Sequence, residues 1–467
     1  MATAYDEIPY ANLPFAQTRP AVLATVATLH GLTPPDPRHA RVLELGCGAG
    51  ANLAGIAAAD PGVHAVGVDL APTAVEVAQA AAAAGGLDNV HFDVGDVLAL
   101  TGGELGEFDY VIVHGLYAWA PPPVREAVLE SCRSHLAPEG IAYLSYTAHP
   151  GGHMRQMLRE MAQWHARGVE EPLARADRAR TLFGLLDQLG ESEGPSFYAG
   201  VVGEDVHALA TAPDAMLVHD LLGPTYAPVW FTDFAAAIAR HGMAYVGDAS
   251  PESSRVPPWS PAVAAFVDEA AGDDRIAREQ YFDLLVLRRF RSSLVCHADH
   301  TPAPWVDRSA VQRMLIGLDG DGAPEPIRAA VGRDGPIPFA TLRERLGAPA
   351  DELAEALVQG FDAGAIAFHV VPSPASGSAG AHPRASALAR SQATPGSLVT
   401  TLHNQVVRIT DEPTGALLRL LDGTRDRAAI LEAFPGALDA PSLDAALAKF
   451  AELGLLFRDE RTSTAAG

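Results

Sequence analysis

From Arg41 onward the chain shows short apolar runs separated by longer amphipathic stretches. Val42–Leu45 is the first such run, followed by a glycine-rich turn and a helix from about Asn52. His64–Val68 predicts a second strand, Thr73–Ala84 an alanine-rich helix, Val90–Phe92 the start of a third strand and Tyr110–Val113 a fourth. Val124–His135 follows as a helix and Ile141–Tyr146 as a fifth strand. Strands alternating with helices at this spacing predict an α/β fold, with a parallel sheet covered on both faces. Upstream, residues 1–38 are rich in Pro, Tyr and Ala, and Val22, Val26 and Leu29 fall at helical spacing.

The pattern then changes. Met154, Met157, Leu158, Met161 and His165 share one helical face, and a stripe that apolar is core packing before it is anything else. Residues 170–300 read as mainly helical, ending in Glu279–Cys296. Pro372–Ser397 is a low-complexity Pro/Ala/Ser/Gly stretch with little to bury, which reads as a linker. Helical patterns recur at Gly415–Leu421, Arg427–Phe434 and Ser442–Leu453, before a short apolar end at Leu455–Phe457. The expected units are an α/β domain with an N-terminal cover over 1–165 and a helical middle domain over 166–300. A small α-rich module over 301–371, a linker over 372–398 and a C-terminal module over 399–467 complete the chain.

Length and charge narrow the function classes. At 467 residues the chain is too long for one ordinary core. A formal charge of −24 argues against a nucleic-acid partner, whose binding rests on basic patches, and is compatible with a cationic substrate. Cys47, Cys132 and Cys296 are too few and too scattered for a disulfide framework, and no CxxC suggests zinc. No basic-then-apolar leader opens the sequence, and no run of 18 apolar residues occurs, so the expectation is a cytoplasmic protein without a membrane span.

The chemistry centres on Glu44-Leu45-Gly46-Cys47-Gly48-Ala49-Gly50, between the first strand and its helix. Glycines there let the backbone turn sharply and approach a ligand, beside a helix N-terminus with unpaired N–H groups. Gly46-x-Gly48-x-x-Ala51 also fits the looser dinucleotide fingerprint, so the glycines alone leave an NAD-linked oxidoreductase open. Three carboxylates separate the readings. Glu44, at the strand end, suits a cationic cofactor better than a pyrophosphate. Asp69 ends the second strand, where it can accept hydrogen bonds from a ribose diol. Asp96, in Val94-Gly95-Asp96-Val97, follows the third strand, where a carboxylate can hold an adenine amino group.

This combination is similar to class I methyltransferases that use S-adenosylmethionine (SAM), whose sheet is Rossmann-like. The resemblance implies that Glu44, Gly46, Gly48, Gly50, Asp69, Asp96 and Val97 bind the cofactor, with Tyr5 and Tyr10 as a cover. A narrower resemblance rests on three segments. They are Tyr5-Asp6-Glu7-Ile8-Pro9-Tyr10, the stretch Phe108 to Pro121 containing His114-Gly115-Leu116-Tyr117-Ala118-Trp119, and Arg288-Arg289-Phe290-Arg291-Ser292-Ser293-Leu294-Val295-Cys296-His297. These resemble methyltransferases carrying a methyltransferase regulatory domain, a group that includes bacterial protein lysine methyltransferases acting on outer-membrane proteins. The resemblance implies a protein or peptide partner, and winged-helix-like modules after the middle domain.

One loop departs from the family pattern Tyr-Asn-Thr-Tyr-Pro-Gly-Trp-His. Here it reads Tyr146-Thr147-Ala148-His149-Pro150-Gly151-Gly152-His153, on the catalytic side of the sheet. That change keeps a small-molecule N- or O-methyltransferase as an alternative; a non-catalytic SAM-binding protein is a separate one, against which the intact glycine motif and Asp96 count. The candidate catalytic residues are His114, Tyr117 and Trp119 at the rim, with Tyr146 and His149 at the altered loop. His149 and His153 lack a nearby carboxylate or cysteine set, so no metal is expected there.

Overall fold

Four consecutive buried positions, Val42 to Leu45, make β1 (Arg41–Leu45) a strand covered on both faces. The computed structural model describes residues 8–192, 197–254, 259–332, 335–435 and 438–458. β2 (His64–Asp69), β3 (Val90–Val94), β4 (Phe108–Val113) and β5 (Leu136–Thr147) join β1 in register, all parallel. Two further strands, β6 (Met243–Asp248) and β7 (Phe290–His297), complete a seven-stranded sheet in the order β3-β2-β1-β4-β5-β7-β6. β7 runs antiparallel to both of its neighbours. One face of the sheet packs Leu23, Val26, Leu53, Ile56 and Val75 from the helices Pro20–Leu29, Ala51–Ala59 and Pro72–Ala84. The other packs Val128, Leu129, Phe234 and Ile238 from Pro122–His135 and Phe231–Arg240.

Residues 170–300 are mainly helical as expected, but β6 and β7 interrupt them, and the helical reading that ended in Glu279–Cys296 is corrected. That helix ends at Val286, and Leu287 takes a left-handed φ of 51° before the strand begins. The alternation that would announce β7 is hidden because Arg291 and Ser293 are buried where a strand would ordinarily carry apolar residues. Arg291 is fully enclosed and holds Asp283, Glu279 and Asp248.

Between β5 and β6 the chain leaves the sheet. Gly152–His165, Pro172–Ser192 and Phe197–Ala210 pack through Leu158, Ala162, Phe183 and Val206. The stripe read from sequence is core at Leu158, while Met157 is exposed. Residues 301–371 hold a three-stranded antiparallel sheet beside their helices, a mixed module where an α-rich one was expected. Residues 372–398 do not behave as a free linker. Ala375, Ala385, Leu388 and Ala389 are buried, and β-bridges tie Ala375 to Phe457 and Ala385 to Leu456. Small side chains read as unable to form a core pack closely enough here to join the helices Glu412–Leu420 and Ala440–Glu452. Among the described residues no helix is long and apolar enough to cross a membrane.

Candidate active site

The carboxyl ends of β1, β2 and β4 open onto a cavity of about 1120 Å³, where an α/β sheet of this kind receives its ligand. The turn after β1 folds back on β2, with the Gly46 and Cys47 N–H groups donating to the Val68 carbonyl at 2.8 and 3.2 Å. Gly46, Gly48 and Gly50 take φ values of 77°, 54° and 77°. A Cβ on Gly48 would meet nothing within 4 Å, so this glycine leaves the cradle open to a ligand. Gly50 has a different task. Its Cβ would sit 2.6 Å from Ala78 Cβ and 2.7 Å from Phe92 Cζ, and the residue does not line the cavity. Its smallness is needed for packing.

The three strand-end carboxylates all line the cavity. Asp69 accepts from the Gly48 N–H at 2.8 Å and the Ala71 N–H at 2.9 Å, which leaves lone pairs on both oxygens for a diol. Exposed Asp96 caps the turn after β3 by accepting from the Leu98 N–H at 3.0 Å, with Val97 beside it. Glu44 is buried, and burial pushes its carboxyl up to about 8 even though Asn52 donates to Oε1 at 2.8 Å. Its Oε2 is buried without a hydrogen-bond partner.

The N-terminal segment closes one side. Asn12 donates to the Ala49 carbonyl at 3.0 Å and accepts from the Ala51 N–H at 2.8 Å, pinning the segment to the glycine turn. Phe15 lies on the His114 ring with centroids 3.7 Å apart. Tyr10 donates to Asp220 at 2.8 Å, so the expected cover residue reaches across to the helical excursion. Tyr5 lies outside the described residues.

Of the candidate catalytic residues, His114 and Trp119 line the cavity. Burial pushes His114 down to about 4, so it is neutral at pH 7, with Tyr143 Oη 2.9 Å from Nδ1. Trp119 is braced by the Arg155 and Arg159 guanidinium groups at 5.7 and 5.6 Å and by the Tyr226 ring at 5.1 Å. Tyr117 and Tyr146 belong to the core, edge to face with one another and packed on Phe234. The alternation of β5 explains the miss: Tyr146 points into the face, while its neighbour Thr147 lines the cavity. His149 also stands outside, stacked on His153 at 3.9 Å and facing Trp230. Among the described residues no cluster of three or more His, Cys, Asp or Glu could hold a metal ion. Arg155, Asp205, Asp220, Arg289 and Phe290 line the cavity without having been singled out. Phe290 stood inside a quoted segment, but nothing local marked it as a wall residue.

Comparison with known proteins fits this geometry. Residues 42–140 match the methyltransferase domain family, 213–297 the predicted methyltransferase regulatory domain and 382–450 the PKMT C-terminal winged helix domain. Uncharacterized protein RP028 of Rickettsia prowazekii is 32% identical over 231 residues, covering 49% of this chain and 91% of that protein. This chain belongs to the class I SAM-dependent methyltransferases with a methyltransferase regulatory domain. Uncharacterized protein RP789 of the same organism is 35% identical over 296 residues, or 63% of this chain, and the chain spans only about half (53%) of its length. The structure of PKMT2 from Rickettsia typhi in complex with AdoHcy shares the fold at a TM-score of 0.78 and 24% identity, covering 96% of this chain and all of that one.

The residues present fit the family's cofactor. An orphaned buried carboxyl oxygen on Glu44 suits a cation, and the open face of Gly48 leaves room for a ligand against the backbone. Glu44, Asp69 and Asp96 would hold SAM without any phosphate-binding lysine. The regulatory-domain match supplies β6 and β7, so this region is built into the sheet that carries the site.

The altered loop has a local explanation. Gly152 stands where the family pattern has Trp, and a Cβ there would lie 2.6 Å from Pro228 Cβ. Proline from the following segment occupies the space that a larger side chain would need.

Proposed function

We propose that the protein transfers a methyl group from SAM to the side-chain amine of lysine in a protein substrate. The observation that carries this reading is the cavity wall built by the segment after β4, the helices after β5 and the start of β7. Trp119, Met154, Met216 and Phe290 make it largely apolar. Its carboxylates are already engaged, Asp205 with Arg289 at 2.8 Å and Asp220 with Arg155 at 3.4 Å. An ammonium entering such a place is poorly solvated, which lowers its pKa and favours the neutral amine that can attack. The likeness of residues 382–450 to the PKMT winged helix domain supports a protein acceptor. A net charge of −24 favours the approach of a basic one.

SAM supplies a methyl group activated by a sulfonium cation. Glu44, once ionised, would place negative charge beside the cofactor, Asp69 and the Gly48 backbone would orient it, and neutral His114 adds no opposing charge. Trp119, fixed between its arginines and Tyr226, excludes water and restricts the angle of approach, which an in-line displacement requires.

The test is incubation of the full chain with methyl-labelled SAM and lysate, separated into protein and small-molecule fractions. Label is expected in protein bands and, by mass spectrometry, on lysine. Because Lys449 is the chain's sole lysine, self-labelling is easily recognised. Label confined to small molecules would replace this reading with a biosynthetic methyltransferase.

A further inference from the structure

The helix Ala51–Ala59 carries Asn52 behind the cofactor cradle, and one of the donors that hold Asn52 comes from the far end of the chain. We propose that Asn404, in the turn of the hairpin Leu398–Thr400 and Val406–Arg408, is a positioning residue for the cofactor site, acting through Asn52 on Glu44. The inference rests on the SAM reading of the cavity.

Asn404 is fully buried, and its left-handed φ of 57° is one that Asn tolerates. Its Nδ2 donates to Asn52 Oδ1 at 2.8 Å and to the Phe15 carbonyl at 3.2 Å. Asn52 Oδ1 also accepts from the Phe15 N–H at 2.9 Å and Thr18 Oγ1 at 2.9 Å. Because the Phe15 N–H can only donate, the amide must present its oxygen to that side. Its NH2 must therefore face Glu44, where it donates to Oε1 at 2.8 Å and leaves Oε2 unpartnered. Asn404 thus adds a second N–H donor that holds the amide which sets the Glu44 carboxyl.

The same side chain holds the N-terminal cover. Phe15, whose carbonyl it binds, lies on His114 and lines the cavity. Asn404 Oδ1 is buried without a partner, over Gly55, where any Cβ would collide with it. A half-satisfied amide is a costly way to fill space. A hairpin that served packing alone would be better filled by an apolar residue. The C-terminal module therefore contributes to cofactor binding although none of its described residues lines the cavity.

Two variants of the full chain separate positioning from packing. N404D keeps size and tolerates the left-handed backbone, but it turns the donor into an acceptor. It would set a carboxylate against the Asn52 oxygen and the Phe15 carbonyl, pushing both away and loosening the amide that donates to Glu44. N404G keeps the backbone and removes the donor without adding a carboxylate. Measured calorimetrically at pH 9, where Glu44 of the parent chain is ionised, SAM affinity is expected to fall about tenfold or more in N404D and about threefold in N404G. A packing role predicts the reverse order, since glycine leaves the larger void.

The pH profile gives a second readout. SAM affinity in the parent chain should rise toward about pH 8 as Glu44 loses its proton, with Asp69 from β2 and the Cys47 thiol as the groups facing it. N404D should move that midpoint upward, which a merely structural change would not do. Parent-like affinity and midpoint in both variants, or a larger loss in N404G, would overturn the proposal. A parent chain that binds no SAM at any pH would instead overturn the cofactor reading beneath it.

Discussion

Replacing Asp69 with alanine is expected to weaken SAM binding about a hundredfold or more while leaving the sheet intact. The side chain ends β2 and performs two tasks at once. It ties the glycine turn through the Gly48 N–H at 2.8 Å and its own loop through the Ala71 N–H at 2.9 Å. Its remaining lone pairs face the cavity. Hydrogen bonds to a charged acceptor contribute about 1.5–3 kcal/mol each, so losing those to a ribose diol costs about 3 kcal/mol or more. D69N keeps one acceptor oxygen and should lose about tenfold. Competition against labelled S-adenosylhomocysteine measures both, with thermal unfolding as the control. Unchanged affinity in D69A would mean that the cofactor does not use the end of β2.

The largest loss of stability is expected from Arg291→Met. The guanidinium is completely buried and lies 4.0 Å from the Phe231 ring centroid. It reaches Asp283 through Nε and Nη2, both at 2.8 Å, and also Glu279 at 2.9 Å and Asp248 at 3.2 Å. Methionine would fill much of the volume but leave these carboxylates unpaired in the interior. Arg288, 3.0 Å from Asp283, can answer for only one of them. Breaking a buried ion network in this way costs about 3–5 kcal/mol, which lowers the thermal midpoint by about 10 °C in a domain of this size. A midpoint within about 2 °C of the parent would show that the network adds nothing to the sheet.

Arg291 also shows where sequence reading reaches its limit. The first five strands were legible because their apolar runs alternate with helical stretches, and local pattern decides such elements. β7 carries Arg291 and Ser293 buried within it, and their partners lie on β6 and on the preceding helix. Nothing local indicates that those charges will be neutralised in the interior. The alanine-rich stretch 372–398 was misread for a related reason, since small residues carry no hydrophobic signal yet pack closely.

The candidate site divides in the same way. Glu44, Gly46, Gly48, Asp69 and Asp96 stand at strand ends, and topology alone brings such positions to one edge. Asn12, Phe15, Arg155 and Phe290 could not be placed beforehand, because each reaches the cavity from an element whose position depends on tertiary packing. Tyr146 failed for a simpler reason: a one-residue step along β5 exchanges the cavity for the core. Gly50 kept its expected backbone conformation, but the constraint on it comes from Phe92 and Ala78.

The measurement that bears most directly on the whole account is a crystal structure of the full chain with S-adenosylhomocysteine. The account predicts the ligand along Gly46–Gly48, with its ribose at Asp69, its adenine at Asp96 and Glu44 beneath it. Ligand bound elsewhere, or an empty cavity at saturating concentration, would contradict it.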